Sequence, residues 1–341
     1  MSRQNSMPVL RRTLGCAAVV ALLAGHGLAQ QKPTFNSYQF EEGWLRLPEG
    51  RSLGLATKVA LDSDGRSFWA FDRCGAADCV GSKLDPIAKF DRLGNLIARF
   101  GAGMFNHPHG LHVDRDGNVW ASDDHGGGGK GHQVFKFSPQ GKVLMTLGKP
   151  GIAGDGPDTF NAPTDVFVAA NGNVFVSDGH GGDTNARVVK FSKGGKFISA
   201  WGKRGSGPGE FALPHALAMD SAGRLFVADR GNNRIEIFDQ DGKFIAEWKQ
   251  FGRPSGLFID KNDILYCMDS ESTPATNRGF RRGLTIGSAR DGTVTTFIPA
   301  PFQEGLAADA RQWGESVAVD DDGNIYTGMN GSKGVERYAI R

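Results

Sequence analysis

The sequence predicts an all-β fold, a six-bladed β-propeller built from four-stranded blades. Three observations carry this: a phrase that recurs six times, turn residues at two fixed places in most copies, and no ten-residue helical periods between the strand-like runs. Glycine supplies 49 of 341 residues, about twice the usual ~7%. There is no Gly-X-Y period, so the excess marks turns and excludes a collagen-like chain.

The chain opens with a basic stretch (Arg3, Arg11, Arg12), a short apolar run over residues 14–23 and the small residues Gly27 and Ala29. That pattern predicts a signal peptide over residues 1–29, cleaved after Ala29, and hence a secreted or periplasmic protein. The apolar run is too short to span a membrane, so no membrane span is expected in the mature chain. The Arg11-Arg12 pair leaves twin-arginine export open beside the general route. Lys+Arg number 39 and Asp+Glu 37, a formal charge of +2. Removing the three leader arginines takes the charge to −1, which argues against a nucleic-acid partner.

Residues 30–341 then form the propeller. The phrase P-H-x-L-x-V-D-x-x-G-x-x-(F/W/Y)-V-x-D reads PHGLHVDRDGNVWASD from Pro108, PTDVFVAANGNVFVSD from Pro163 and PHALAMDSAGRLFVAD from Pro214. Weaker copies start at Pro254, Gly314 and Ala56, the last with one extra residue. A second phrase follows most copies, as in KFSPQGKVLMTLG and KFSKGGKFISAWG. Each unit reads as strand, Asp/Asn-Gly turn, strand, loop, strand, Gly-Lys or Gly-Asn turn, strand. Four short antiparallel strands per ~50 residues make a propeller blade. Either residues 335–339 or residues 38–47 are expected to close the ring.

Cys74 and Cys79 stand five apart and can close a small disulfide loop in an oxidising compartment. Cys267 lies in a strand-like run and reads as a buried apolar residue.

Within a repeat, positions that match are structural, and positions that vary at one register are where function can sit. The residue opening the innermost strand reads Thr57, His109, Thr164, His215, Ser255 and Glu315 around the ring. The three ligand-type side chains fall on alternate blades, about 120° apart, and converge on the axis. Two imidazoles and a carboxylate are a catalytic rather than a structural zinc set, although Fe²⁺, Mn²⁺ or Co²⁺ would also suit them. His109, His215 and Glu315 are therefore the expected metal ligands; a hydrogen-bonded channel histidine is the plainer alternative.

A second register follows the second strand. Its aspartates (Asp72, Asp123, Asp178, Asp229, Asp269) recur and read as turn caps. Arg73 and Arg230 do not recur. They suit a substrate carboxylate, or else salt bridges to nearby aspartates. His180 and His125 follow in adjacent loops as acid/base candidates. The glycine-rich segment over residues 125–132 lacks the strand-to-helix setting of a phosphate loop, and His112 is expected to pack between blades.

These phrases resemble NHL repeats, and the run from FNAPTDVFVAANGNVFVSDGHGG to PHALAMDSAGRLFVADRGNNRIEIF resembles peptidyl-α-hydroxyglycine α-amidating lyase. The resemblance implies a six-bladed propeller with an axial zinc held by three histidines. It also implies cleavage of a carbinolamide C–N bond to an amide and glyoxylate. By that resemblance His109 and His215 match two zinc ligands, and Glu315 stands where the family has the third. Arg73 and Arg230 match arginines implicated in substrate binding and catalysis, and His180 stands in place of a catalytic tyrosine. Ser316 replaces an aspartate implicated in the family's calcium site, which argues against a structural Ca²⁺. No copper-dependent hydroxylating domain is expected alongside the propeller.

The expected function is that of an exported metal-dependent lyase, with Arg73, His180 and Arg230 as its catalytic side chains. Its partner would be a small-molecule or peptide substrate bearing a carboxylate, and the protein a monomer. A non-catalytic NHL propeller that binds a peptide, glycan or protein, and a lactonase-like hydrolase, are the alternatives.

Overall fold

The structure is a computed structural model that describes Met1 and residues 37–41, 43–49, 51–301, 314–329 and 334–341. The leader expected over residues 1–29 lies outside the described residues. The described chain folds into six four-stranded antiparallel sheets, each a meander running from an inner to an outer strand. The sixth sheet is completed by strand β1 (Tyr38–Glu41), which pairs with β24 (Val335–Ile340). Both expected closing segments are therefore used. Residues 335–340 supply the third strand of the blade, and residues 38–41 its outermost one.

The recurring aspartate of the first phrase explains the tight inner hairpins. Its carboxylate accepts a backbone N–H four residues on: Asn118 to Asp114 at 2.9 Å, Arg224 to Asp220 at 2.8 Å, Asn324 to Asp320 at 2.8 Å. These are Asx turns that place the next residue but two in the left-handed region, as at Gly117 (φ +78°). The fifth blade puts Asp263 there, at φ +61°. Its strained backbone is held by the Asp263 carboxylate, which accepts from the Ser221 N–H and hydroxyl and pairs with Arg290.

Each innermost strand starts with a break in register between its first residue and the third or fourth, as between Pro214 and Ala216 or between Gly314 and Ser316. A β-bulge re-aims a side chain. Here it falls on Thr57, His109, Thr164, His215, Ser255 and Glu315, the register picked out from the repeat. Gly110 lets the second and third innermost strands meet, since a Cβ there would lie 2.6 Å from the Asp165 Cα.

The second-strand aspartates fasten the loop that leads into each innermost strand. Asp123 accepts from the Asn106 and His107 amides, Asp229 from Ala212 and Leu213, and Asp178 from Asn161. Between blades the core is aromatic. Phe105, Phe160, Phe211 and Phe251, each three residues before the proline that opens a strand, are at most 1% exposed. Phe105 lies 5.0 Å from Phe71 of the preceding blade and 5.4 Å from Phe135 of its own. His112 stacks on Phe167 of the next blade at 4.6 Å. Cys74 and Cys79 form a disulfide, their Cα atoms 5.2 Å apart. Cys267 is fully buried, and burial pushes its thiol up. Among the described residues no helix is long and apolar enough to cross a membrane.

Candidate metal centre

His109 and His215 enter the channel from the bulges of β6 (Pro108–Val113) and β14 (Pro214–Met219). Each donates Nδ1–H to the carbonyl of the neighbouring innermost strand, His109 to Thr164 at 2.7 Å and His215 to Ser255 at 2.6 Å. That contact fixes the tautomer and leaves the Nε2 lone pair facing inward. Both Nε2 atoms are buried and have no hydrogen-bond partner among the described residues. Burial pushes both imidazoles well below the usual histidine range, opposed at His109 by Asp124 and reinforced at His215 by Arg230, which favours the neutral, ligating form.

The third imidazole of the cluster is His180. It follows Gly179, whose backbone (φ +137°) runs so close to Asn185 that no Cβ would fit. The loop is locked by the His180 N–H donating to the Thr184 hydroxyl at 2.8 Å. The ring centroid of His109 lies 4.7 Å from that of His180 and 4.8 Å from that of His215. Ligand atoms of the three lie within 4.8 Å of one another. Three imidazoles, two of them with buried, unpartnered nitrogens, fit a zinc-type centre that keeps an open position.

Glu315, expected as the third ligand, is instead paired with Arg230, its Oε1 3.4 Å from Nη1. Of the expected set His109, His215 and Glu315, the two histidines gather with His180, while Glu315 lies against Arg230. The difference comes from the loop after β11 (Val174–Asp178), which delivers a side chain that the strand register does not contain.

Arg230 sits in a short 3₁₀ turn, Arg230–Asn232. It also touches Glu271 Oε1 at 3.2 Å and His180 Nε2 at 3.2 Å. Arg253 grips the other oxygen of Glu271 and the Arg230 carbonyl. The partners of Arg230 are therefore glutamates of the next two blades, not aspartates of its own loop. Arg73 is different. It is buried, its Nε donates to the Pro108 carbonyl at 3.2 Å, and among the described residues no carboxylate comes within ion-pair distance. Burial pulls its guanidinium down, while Asp124, Glu315 and Asp78 pull it back up from farther off.

Sequence reasoning missed Asp124. Fully buried, it receives His107 Nδ1 at 2.5 Å and His125 Nδ1 at 2.9 Å on Oδ1, and its Oδ2 lies 3.1 Å from His180 Nδ1. Burial alone would raise this carboxyl; the imidazoles gathered around it, His109, His107, His125 and His180, outweigh burial and hold it well below the usual carboxylate range. A signal was present, since Asp124 occupies the same register as Arg73 and Arg230. The Ser316 hydroxyl accepts the Val59 N–H at 3.0 Å, and Lys58 and Asp165 form a buried ion pair inside the channel.

The NHL repeat family matches residues 211–238. Peptidyl-glycine alpha-amidating monooxygenase B of Xenopus laevis is 36% identical over 262 residues, 72% of this chain and 27% of the relative. Peptidyl-alpha-hydroxyglycine alpha-amidating lyase 1 of Drosophila melanogaster is 39% identical over 228 residues, 59% of this chain and 40% of the relative. The chain is a six-bladed propeller with an NHL repeat at residues 211–238, and it resembles the amidating lyases. It spans less than half the length of either relative. A solved gluconolactonase from Xanthomonas campestris shares the fold at a TM-score of 0.57 and 14% identity, over 85% of this chain and 87% of that one. At that identity the likeness is one of fold alone.

Proposed function

We propose that the chain is a metal-dependent carbon–nitrogen lyase acting on a carbinolamide that carries a carboxylate, of the peptidyl-α-hydroxyglycine type. The observation that carries this reading is the pair of buried, unpartnered Nε2 atoms of His109 and His215 beside His180. His109, His180 and His215 would hold a divalent metal, zinc by the donor set, which supplies a Lewis acid for the substrate's oxygen atoms. Asp124 Oδ2, 3.1 Å from His180 Nδ1, stands on the side of that ring where the Thr164 and Ser255 carbonyls hold the other two.

Arg73 binds the substrate carboxylate, because a buried guanidinium with no ion-pair partner among the described residues favours a forked anion. Glu315, fixed by Arg230 at the axial register, takes the hydroxyl proton. The hydroxyl oxygen becomes the aldehyde oxygen of glyoxylate as the C–N bond breaks. The bonding pair leaves with nitrogen, which receives a proton and departs as the amide. In this reading His180 is a ligand and Glu315 the proton carrier, an exchange of the roles expected from the sequence. The Cys74–Cys79 disulfide suits an exported protein.

The test is glyoxylate release from a peptidyl-α-hydroxyglycine by the full chain. Release that stops on chelation and returns with Zn²⁺ is expected. Release that is absent from the zinc-loaded protein, or indifferent to chelation, refutes the lyase reading.

A further inference from the structure

We propose that His107, Asp124 and His125 form a second divalent-cation site, joined to the histidine cluster through the two oxygens of Asp124. Three donor atoms from two segments of the second blade meet there. His107 Nδ1 lies 2.5 Å and His125 Nδ1 2.9 Å from Asp124 Oδ1, and the two nitrogens are 2.8 Å apart.

Hydrogen bonding cannot satisfy this triangle. If both imidazoles carry the Nδ1 proton, two N–H groups face each other across 2.8 Å. If only one does, the lone pair of the other faces the carboxylate oxygen. One edge always joins like to like, whereas a cation among the three atoms satisfies all of them at once. Two imidazoles and one carboxylate select a transition-type cation such as Zn²⁺ or Co²⁺ over Mg²⁺ or Ca²⁺.

The site is built in advance. The Asp123 carboxylate fastens the His107 amide at 2.6 Å, and the His107 carbonyl receives the Asp124 N–H. The Asn106 side chain donates to the His125, Gly127 and Lys130 carbonyls, which pins the glycine-rich loop that carries His125. Asp124 is closed off, while the His125 side chain is 60% exposed. His107 and His125 face a cavity of about 590 Å³ bordered by Asp78, Asn106, Gly127 and Lys130. The remaining coordination positions therefore open onto solvent or a ligand. Because Asp124 Oδ2 lies 3.1 Å from His180 Nδ1, a cation on Oδ1 draws on the same carboxylate that faces His180. The two sites are chemically coupled.

The test is a count of Zn²⁺ bound per chain after metal-free protein is reloaded and gel-filtered, for wild type, His125→Ala, His107→Ala and His109→Ala. Two equivalents are expected in the wild type and one in each variant. His125 is exposed on a loop, so its replacement leaves the fold in place. A count that His125→Ala and His107→Ala do not lower overturns the second site, whatever the wild-type value. A wild type with one equivalent, lost in His125→Ala and kept in His109→Ala, would support this site and instead defeat the histidine-cluster reading.

Discussion

Arg73 and Arg230 occupy the same register on opposite blades, yet their surroundings give them different work. Arg230 is neutralised by Glu271 and Glu315 and holds them in place, whereas Arg73 has a carbonyl partner and no ion pair among the described residues. Arg73→Ala should therefore raise KM about 10- to 100-fold for a substrate with a free carboxylate, the value of a charge-assisted hydrogen bond of ~1.5–3 kcal/mol. It should change little for the corresponding carboxamide. Equal losses on both substrates would remove Arg73 from carboxylate binding. Glu315→Gln should lower kcat by about 10²- to 10⁴-fold, the range of general acid–base catalysis, with the metal content unchanged. Asp124 escaped the sequence reading because its neighbour Asp123 fills the repeating cap position; only the folded loop shows that the second aspartate turns inward to three imidazoles.

The blade was legible in the sequence because one period fixes every part of it. The Asx aspartate sets the turn, the bulge aims the next strand's opening side chain, and the second-strand aspartate ties down the entering loop. The inter-blade phenylalanines belong to the same design. Phe105→Ala should cost about 3–5 kcal/mol, as for other large-to-small changes at a buried aromatic, read as a lower urea midpoint with little change in slope. A shift under about 1 kcal/mol would contradict the packing described. Loops were less legible. The path from Gly179 to Asn185 depends on a close backbone approach and on the Thr184 hydroxyl, neither of which the repeat encodes. That is why His180 reads from sequence as a neighbour of the metal and from structure as part of the cluster.

At the scale of the whole molecule, six similar blades close on a strand from the far end of the chain, and the channel they enclose differs at its two ends. One end gathers the histidines, Asp124 and the arginines; toward the other, Lys58 and Asp165 lie near His112. Burial, reinforced by the positive charge of Lys58, lowers the His112 imidazole to about 4. The unfolded chain takes up that proton near pH 6.5 and the folded chain only near 4. Stability from a neutral His112 is thus present above 6.5 and lost as pH falls toward 4. Urea unfolding of His112→Phe across that window should show a shallower acid decline than the wild type; an identical decline would place the pH sensitivity elsewhere. The ring and its axial register could be read from the repeat, but the three-histidine cluster needed the loops in place.

The ligand set is also where the account is most exposed. Zinc bound per chain should fall by one equivalent in His180→Ala and stay at the wild-type count in Glu315→Gln. Zinc retained by His180→Ala and lost by Glu315→Gln would return the centre to two histidines and a glutamate, and contradict the assignment made from the structure.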